Sequence, residues 1–451
     1  MRTRLTTVVL LFAGLLIISQ PVGAQLPKET EAQKAQRMKW WTDARFGMFI
    51  HWGLYALPAR HEWVKNHERL TNETYQKYFE AFNPDMFDPH EWARMARAAG
   101  MKYVVLTAKH HEGFCLWDSK FTDYKAPNTP WGKDLIREYV DAFRAEGLKV
   151  GFYYSLIDWH HPDYTIDRMH PLRQDSDSAY VRLNKGRDMA KYREYIKNQV
   201  RELLTNYGEI SIIWFDFSFP GKNGKGHNDW DSEGILKLAR SLQPGIIVDD
   251  RLDLENVEGG WDFTTPEQYK VEKWPEVNGK RVPWETCQTF SGSWGYYRDE
   301  TSWKSPAQLI ELLIESVSKG GNLLLNVGPT ARGVFDYRAQ ERLKAIGDWM
   351  KYNSRSIYNC TEAPADLAVP SNTLLTYNPV TRKLYIHLLD YPMGSLTLKN
   401  MADKVKYIQF LHDASEIQFS KGDGEEKNNL NLDLPILKPN VEIPVLEVYL
   451  K

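Results

Sequence analysis

The sequence predicts an α/β fold: a (β/α)8-like TIM barrel over residues 30–355, then a C-terminal antiparallel β-sandwich domain over residues 360–451. Three observations carry that expectation. Short apolar runs alternate with amphipathic stretches from Gly47 to Val327, the texture of repeated βα units over a parallel sheet. After Tyr358 the texture changes to short alternating runs separated by turn-formers. Polar, titratable or aromatic residues follow nearly every apolar run of the first region, where the loops of a closed parallel barrel converge on one mouth. At 451 residues the chain has room for one large barrel and an appendage.

The expected barrel strands are Gly47–Ile50, Tyr103–Ala108, Val150–Ser155, Ile210–Phe215, Ile246–Asp249, Phe263–Thr265, Trp284–Gln288 and Asn322–Val327, the sixth and seventh being short on pattern. Helices are expected between them at Pro89–Ala99, Lys133–Glu146, Asp188–Tyr207 and Ser232–Leu242. The best marked is Ser305–Lys319: Ser305 suits the N-cap, Pro306 the first helical position, and Gly320-Gly321 a left-handed exit. Beyond the barrel, Leu384–Leu389, Ser395–Leu398 and Val445–Leu450 read as sandwich strands, and the polar stretch Lys421–Asn429 as a solvated hairpin end.

Apolar residues make up 42% and charged residues 26% of the chain, and 57 basic side chains nearly balance 59 acidic ones, which excludes a disordered chain and argues against a nucleic-acid partner. The 16 Trp and 24 Tyr suit either a bulky core or a site that lays rings against sugar C–H faces. Residues 1–24 read as a signal peptide: Arg2 and Arg4 supply charge, Leu5 to Ser19 is mostly apolar, and Val22-Gly23-Ala24 ends in small residues. The mature chain is then expected to begin at Gln25 and to be secreted or periplasmic. The apolar run is shorter than the roughly 20 residues a membrane anchor needs. Cys115, Cys287 and Cys360 are odd in number and far apart, so no disulfide framework or zinc cluster is expected.

The residues at the strand ends are His51-Trp52, Lys109-His110-His111-Glu112, Tyr153-Tyr154, Trp214-Phe215-Asp216, Asp250-Arg251, Glu267, Glu285 and Gly328-Pro329. Singly, each has a bland reading. Asp216 could cap a helix, Arg251 could pair with Asp249 or Asp250, and Trp52, Trp63 and Trp294 could fill the core. Tandem His110-His111 resist that reading, because neighbours on a strand face opposite sides and at least one must face the mouth.

Together these residues carry a resemblance. Arg45-Phe46-Gly47-Met48-Phe49-Ile50-His51-Trp52-Gly53 and Lys109-His110-His111-Glu112-Gly113-Phe114-Cys115-Leu116-Trp117 are similar to segments of the α-L-fucosidases of glycoside hydrolase family 29. So are Gly151-Phe152-Tyr153-Tyr154-Ser155, Trp214-Phe215-Asp216, Phe290 to Tyr296, and Gly320-Gly321-Asn322-Leu323-Leu324-Leu325-Asn326-Val327-Gly328-Pro329. The match runs in order from about residue 36 to residue 360. The resemblance implies a retaining exo-α-L-fucosidase that releases terminal α-L-fucose through a covalent fucosyl-enzyme intermediate. It implies that Asp216 is the nucleophile and that His51, Glu62, Trp63, His110, His111, Tyr153, Trp214, Arg251 and Trp294 bind the sugar. The tandem histidines then need no metal, and no cofactor is expected. For the general acid/base, Glu267 in Thr265-Pro266-Glu267-Gln268-Tyr269 resembles the segment of several members, and Glu285 in Pro283-Trp284-Glu285-Thr286-Cys287 that of others; Glu267 is preferred. A departure stands beside the nucleophile, where Phe217-Ser218-Phe219 replaces the small residue of many relatives.

The expected partner is a fucosylated oligosaccharide or glycoconjugate, with neither nucleic acid nor a membrane anchor involved. Two rival readings remain at this point: a barrel that holds fucose without turnover, and a metallohydrolase with His110, His111, His160, His161 and Asp163 as ligands. Linkage preference and oligomeric state are not written in the sequence.

Overall fold

A computed structural model describes residues 29–451; the expected signal peptide, residues 1–24, lies outside the described residues. Seven strands, all parallel, form the barrel sheet: β1 (Phe46–Ile50), β2 (Tyr103–Lys109), β3 (Lys149–Ser155), β4 (Ile212–Asp216), β5 (Ile247–Val248), β8 (Glu285–Thr289) and β9 (Asn322–Val327). Between β5 and β8 stands a small hairpin of β6 (Glu276–Val277) and β7 (Lys280–Arg281). The order is β5-β4-β3-β2-β1-β9-β8, so β1 lies between β2 and β9 as the winding of a barrel requires. Helices cover the outside and side chains fill the inside, so almost every strand residue is buried, without polar alternation.

The sixth expected strand, Phe263–Thr265, does not form a regular strand. Phe263 bridges Asp249 and Thr264 bridges Trp284, each once, so the stretch closes the gap between β5 and β8 by single contacts. Its neighbours lack ladder donors at Pro266 and Pro283, and the Val248 N–H donates to the Asp262 carboxylate at 2.9 Å. A side chain thus does part of the work of the ladder.

The helices follow their sequence signals. Ser305 and Gln308 form a capping box at the start of the helix Pro306–Ser318. The chain then turns through Gly320 at φ 76°, and Gly321 passes so close to Trp284 that a Cβ there would meet the indole at 2.2 Å. The helices Pro89–Ala98, Leu135–Ala145 and Met189–Thr205 start from Asp88, Asp134 and Asp188, whose carboxylates accept first-turn N–H groups.

The C-terminal region makes two antiparallel sheets. One runs β10 (Thr361–Glu362), β11 (Thr373–Asn378), β12 (Lys383–Leu388), β17 (Val445–Leu450), β14 (Val405–Phe410). The other runs β13 (Ser395–Leu398), β16 (Leu430–Asp433), β15 (Gln418–Lys421). Leu384, Ile386, Ile408, Leu430, Leu432, Leu446 and Val448 form a core of their own. The Trp349 indole, on the last barrel helix, donates to Ile443 O at 2.9 Å and ties the two regions together. The three cysteines are buried, unpaired thiols. Among the described residues no helix is long and apolar enough to cross a membrane.

Candidate active site

At the C-terminal ends of the strands a small pocket of about 60 Å³ is lined by Phe49, His51, Trp63, His110, His111, Tyr153, Trp214, Asp216, Phe217, Arg251, Glu267, Cys287 and Trp294. Strand alternation selects several of them. On β3 Tyr153 points inward while the Tyr154 hydroxyl reaches outward to Gln199 at 2.8 Å. On β4 Trp214 lines the pocket and Phe215 packs in the outer core, which brings Asp216, the last residue of β4, back to the inside.

The tandem histidines escape that alternation. The β2–β3 register slips between Thr107 and Lys109, and the strand ends at Lys109, whose ammonium is buried against Asp158 at 3.1 Å and over the Tyr154 ring at 4.6 Å. His110 and His111 follow in the turn, their ring centroids 3.9 Å apart, and both line the pocket.

Asp216 is held at both oxygens. Arg251 Nη1 donates to Oδ1 at 2.9 Å and the Tyr153 hydroxyl to Oδ2 at 2.7 Å, while His111 Nε2 stands 4.0 Å from Oδ2. The same guanidinium reaches Glu267 Oε2 through Nη2 at 2.8 Å and lies 4.5 Å over the Trp214 ring. Burial alone would lower the Arg251 pKa, but the Asp216 and Glu267 carboxylates outweigh it and hold the guanidinium well above its ordinary value.

Two hydrogen-bond chains fix the imidazoles. The Ser155 hydroxyl spends its proton on Ile157 O at 2.8 Å, so its oxygen accepts the Nδ1–H of His111 at 2.7 Å. Asn326 spends an amide N–H on Trp294 O at 2.7 Å, so its carbonyl accepts the Nδ1–H of His51 at 2.6 Å. Both rings therefore keep a bare Nε2 lone pair for a substrate hydroxyl. Burial pushes the His51 pKa down to about 3 and those of His110 and His111 well below the ordinary value, so the rings are neutral at physiological pH.

Glu62 lies behind the wall. Its Oε2 accepts from Ser293 Oγ, Trp294 N and Gly295 N at 2.9 to 3.1 Å, fixing the loop that carries Trp294, and it does not line the pocket. Glu285, the alternative acid/base, stands at the first residue of β8, the end of the barrel opposite the mouth. There it is fully buried and accepts from the Tyr103 hydroxyl and from Trp41 Nε1 at 3.2 Å. Burial raises its pKa to about 7, above its ordinary value, against the pull of those donors. The ligands of the rival metallohydrolase reading are divided: His110 and His111 line the pocket, whereas the His160 ring stacks on Tyr124 at 3.8 Å and His161 packs against Tyr195 at 4.3 Å.

Sequence reasoning missed Asn326, Ser155, Phe49 and Cys287. All four sit inside the runs that mark strands, where a polar or apolar residue shows no sign of which face it occupies.

The α-L-fucosidase family model matches residues 19–355. Tissue α-L-fucosidase of Mus musculus is 30% identical over 90% of this chain and 89% of its own, and the α-L-fucosidase of Dictyostelium discoideum 29% identical over 91% of each. Among solved structures, α-L-fucosidase isoenzyme 1 from Paenibacillus thiaminolyticus is 44% identical, with a TM-score of 0.86 over 93% of this chain and 99% of that one. A family 29 α-L-fucosidase of Bacteroides thetaiotaomicron, solved as a trapped covalent intermediate with 2-fluoro-fucosyl fluoride, is 29% identical with a TM-score of 0.79 over 92% and 96%. A barrel whose mouth joins an arginine-gripped carboxylate to neutral histidines, with a family match running through that barrel, leaves one assignment: the chain belongs to the α-L-fucosidases of glycoside hydrolase family 29, enzymes acting on fucosylated glycans.

Proposed function

We propose that this α-L-fucosidase releases terminal α-L-fucose with retention, by double displacement, with Asp216 as nucleophile and Glu267 as general acid/base. One observation carries the reading: a single guanidinium, that of Arg251, grips the carboxylates of both Asp216 and Glu267 at the rim of a small pocket. Retention needs two carboxyl groups close together across the anomeric carbon, about 5–5.5 Å apart, against roughly 6.5–9.5 Å in inverting enzymes.

In the first step Asp216 attacks the anomeric carbon of the bound fucoside. The carbon–oxygen bond to the leaving group breaks, Glu267 donates its proton to that oxygen, and a β-linked fucosyl ester remains on Asp216. Glu267, paired with Arg251 in this structure, must first release that contact and take up a proton from solvent before it can donate to the glycosidic oxygen. In the second step water attacks the same carbon, Glu267 takes its proton, and the ester bond to Asp216 breaks to give α-L-fucose. The Nε2 lone pairs of His51 and His111 accept hydrogen bonds from sugar hydroxyls, while Trp63, Trp214 and Trp294 supply ring faces. The trapped covalent intermediate of the Bacteroides thetaiotaomicron relative supports the two-step course.

Proton NMR of the first-formed fucose tests retention: α-L-fucose is expected, and β-L-fucose from an α-linked substrate would end the assignment of Asp216 as nucleophile. Azide rescue separates the two roles. Glu267→Ala should lose oligosaccharide hydrolysis, keep more of its first step on an activated aryl fucoside, and regain turnover with azide to give α-fucosyl azide. Asp216→Ala should be inactive, or with azide give the β anomer by one inversion. Rescue to the α product in Glu285→Ala, with Glu267→Ala behaving like wild type, would transfer the acid/base role to Glu285.

A further inference from the structure

The departure at Phe217-Ser218-Phe219 has a place in the fold. Through Asp216, Phe217 and Arg251 the small pocket widens into an open groove of about 520 Å³, within the range of small-ligand clefts of about 300–1,000 Å³. One wall is Phe217-Ser218-Phe219-Pro220, and the other carries Asp250, Asp253 and Glu255.

The strand order says what this groove faces. The histidines with bare Nε2 atoms follow β1 and β2, whereas Asp216 ends β4 and Arg251 follows β5. A fucose whose hydroxyls meet the histidines therefore turns its anomeric carbon toward β4 and β5. In-line displacement sends the leaving group away from Asp216 and past Glu267, and the groove adjoins Glu267 through Arg251, whose Nη2 pairs with it at 2.8 Å, and through Thr265, two residues before it.

The aromatic wall is held in place. Phe217 sits at φ 77°, a conformation rare for a bulky residue, with its ring fixed against His111 at 4.8 Å, Trp63 at 5.2 Å and Phe219 at 5.5 Å. Phe219 pairs with Lys225 across a tight hairpin by backbone bonds of 2.8 and 3.1 Å. The Lys225 ammonium is in turn buried against Asp167 and donates to Thr165 O at 2.7 Å. Both phenyl rings stay half-buried; the Arg168 guanidinium, which donates to Lys222 O at 2.8 Å, covers one face of Phe219 at 5.0 Å, so the opposite face of Phe219 and the edge of Phe217 are what remain for the C–H faces of sugars.

The opposite wall is acidic. The Asp250 carboxylate accepts from the Thr265 hydroxyl at 2.7 Å, Asp253 accepts the His227 N–H at 2.8 Å, and Glu255 is exposed. Arg251, the cation among the lining residues, already pairs with Asp216 and Glu267. A carboxylate or sulfate brought into the groove would meet like charges.

We propose that this groove is the leaving-group subsite for a neutral oligosaccharide, which it stacks on Phe217 and Phe219, and that Asp253 and Glu255 select against leaving groups bearing carboxylate or sulfate. The proposal rests on the fucosidase reading of the pocket, so its test needs a substrate for each. An aryl fucoside, with its single-ring leaving group, measures the pocket; a neutral fucosylated tetrasaccharide and its sialylated counterpart measure the groove. Phe219→Ala should lower kcat/KM on the neutral tetrasaccharide about threefold to tenfold, the worth of one ring contact, with aryl fucoside hydrolysis unchanged. Phe219→Tyr, which keeps the ring, should restore it. Glu255→Lys should raise the sialylated-to-neutral ratio about threefold at low ionic strength, and the gain should fade as salt shortens the screening length below about 10 Å. Equal losses on aryl and tetrasaccharide substrates in Phe219→Ala, or an unchanged ratio in Glu255→Lys, overturn the subsite while leaving the pocket intact. A wild-type protein inactive on the aryl fucoside and both tetrasaccharides would instead overturn the reading of the pocket, and the groove proposal with it.

Discussion

Asn326→Asp should add an acid limb to the enzyme's pH profile. In the wild type the Asn326 carbonyl accepts the His51 Nδ1–H at 2.6 Å, and burial holds the ring's pKa at about 3, so Nε2 stays bare through the working range. The charged or titratable groups facing His51 are His110, His111, Tyr153 and Arg251; His111 and Arg251 both oppose its protonation. A carboxylate in place of the amide would oppose them from within hydrogen-bond distance. An opposite charge within about 4–6 Å moves a pKa by about 1–3 units, which brings protonation of the pair formed by His51 and the new carboxylate to between about pH 4 and about pH 6. The proton of that pair can sit on the ring or on the new carboxyl, which then donates to Nδ1. Either arrangement puts a hydrogen on Nε2 and removes the acceptor. The assay is kcat/KM on an aryl fucoside from about pH 4 to about pH 8. The variant also loses the amide donor to Trp294 O, which lowers the plateau at every pH, so the shape of the profile is what counts. A profile with the wild-type shape would refute the claim that His51 works as a neutral acceptor.

Tyr153→Phe removes the 2.7 Å hydrogen bond to Asp216 Oδ2, a charge-assisted contact worth about 1.5–3 kcal/mol, and should lower kcat/KM about 10- to 100-fold with little change in Tm; an unchanged rate would mean that the hydroxyl does not hold Asp216 for the reaction. Lys225→Met leaves Asp167 buried without its cation and should cost about 3–5 kcal/mol in urea unfolding, whereas a cost near zero would show that the ion pair does not anchor the hairpin. The Glu285 carboxyl, raised from an ordinary 4.5 to about 7, favours the fold fully below about pH 4.5, and that contribution is lost as pH rises through about 7. Glu285→Gln should therefore flatten the fall in stability between about pH 5 and about pH 8 by on the order of 3 kcal/mol; equal pH slopes for both proteins would count against a buried, protonated Glu285.

Strand periodicity made most of the barrel legible. Ile213-Trp214-Phe215-Asp216 reads as a strand with a carboxylate at its end, and it is one. Phe263–Thr265 also reads as a strand, but a ladder needs donors on its neighbours, and Pro266, Pro283 and the Asp262 side chain withhold them. Glu267 and Glu285 show the same limit within the site. Each stands beside a short apolar run, and nothing local separates the two ends of a barrel. Register does: Glu285 pairs with Asn322, the first residue of β9, whereas Glu267 bridges Cys287 farther along β8.

The sequence by itself determined which residues are chemically equipped for the site, because strand ends, caps and residue types are local properties that the chain carries wherever it folds. The tertiary structure alone decided which of those residues meet. It placed one guanidinium between a carboxylate at the end of a strand and one from a loop, turned both histidines of a tandem pair into one pocket, set the protons of His111 and His51 through Ser155 and Asn326, and sent Glu285 to the far end. The reason is physical: hydrogen-bond polarity and ion pairing act over a few ångströms between groups as much as 275 positions apart, as His51 and Asn326 are, and no local pattern encodes that distance.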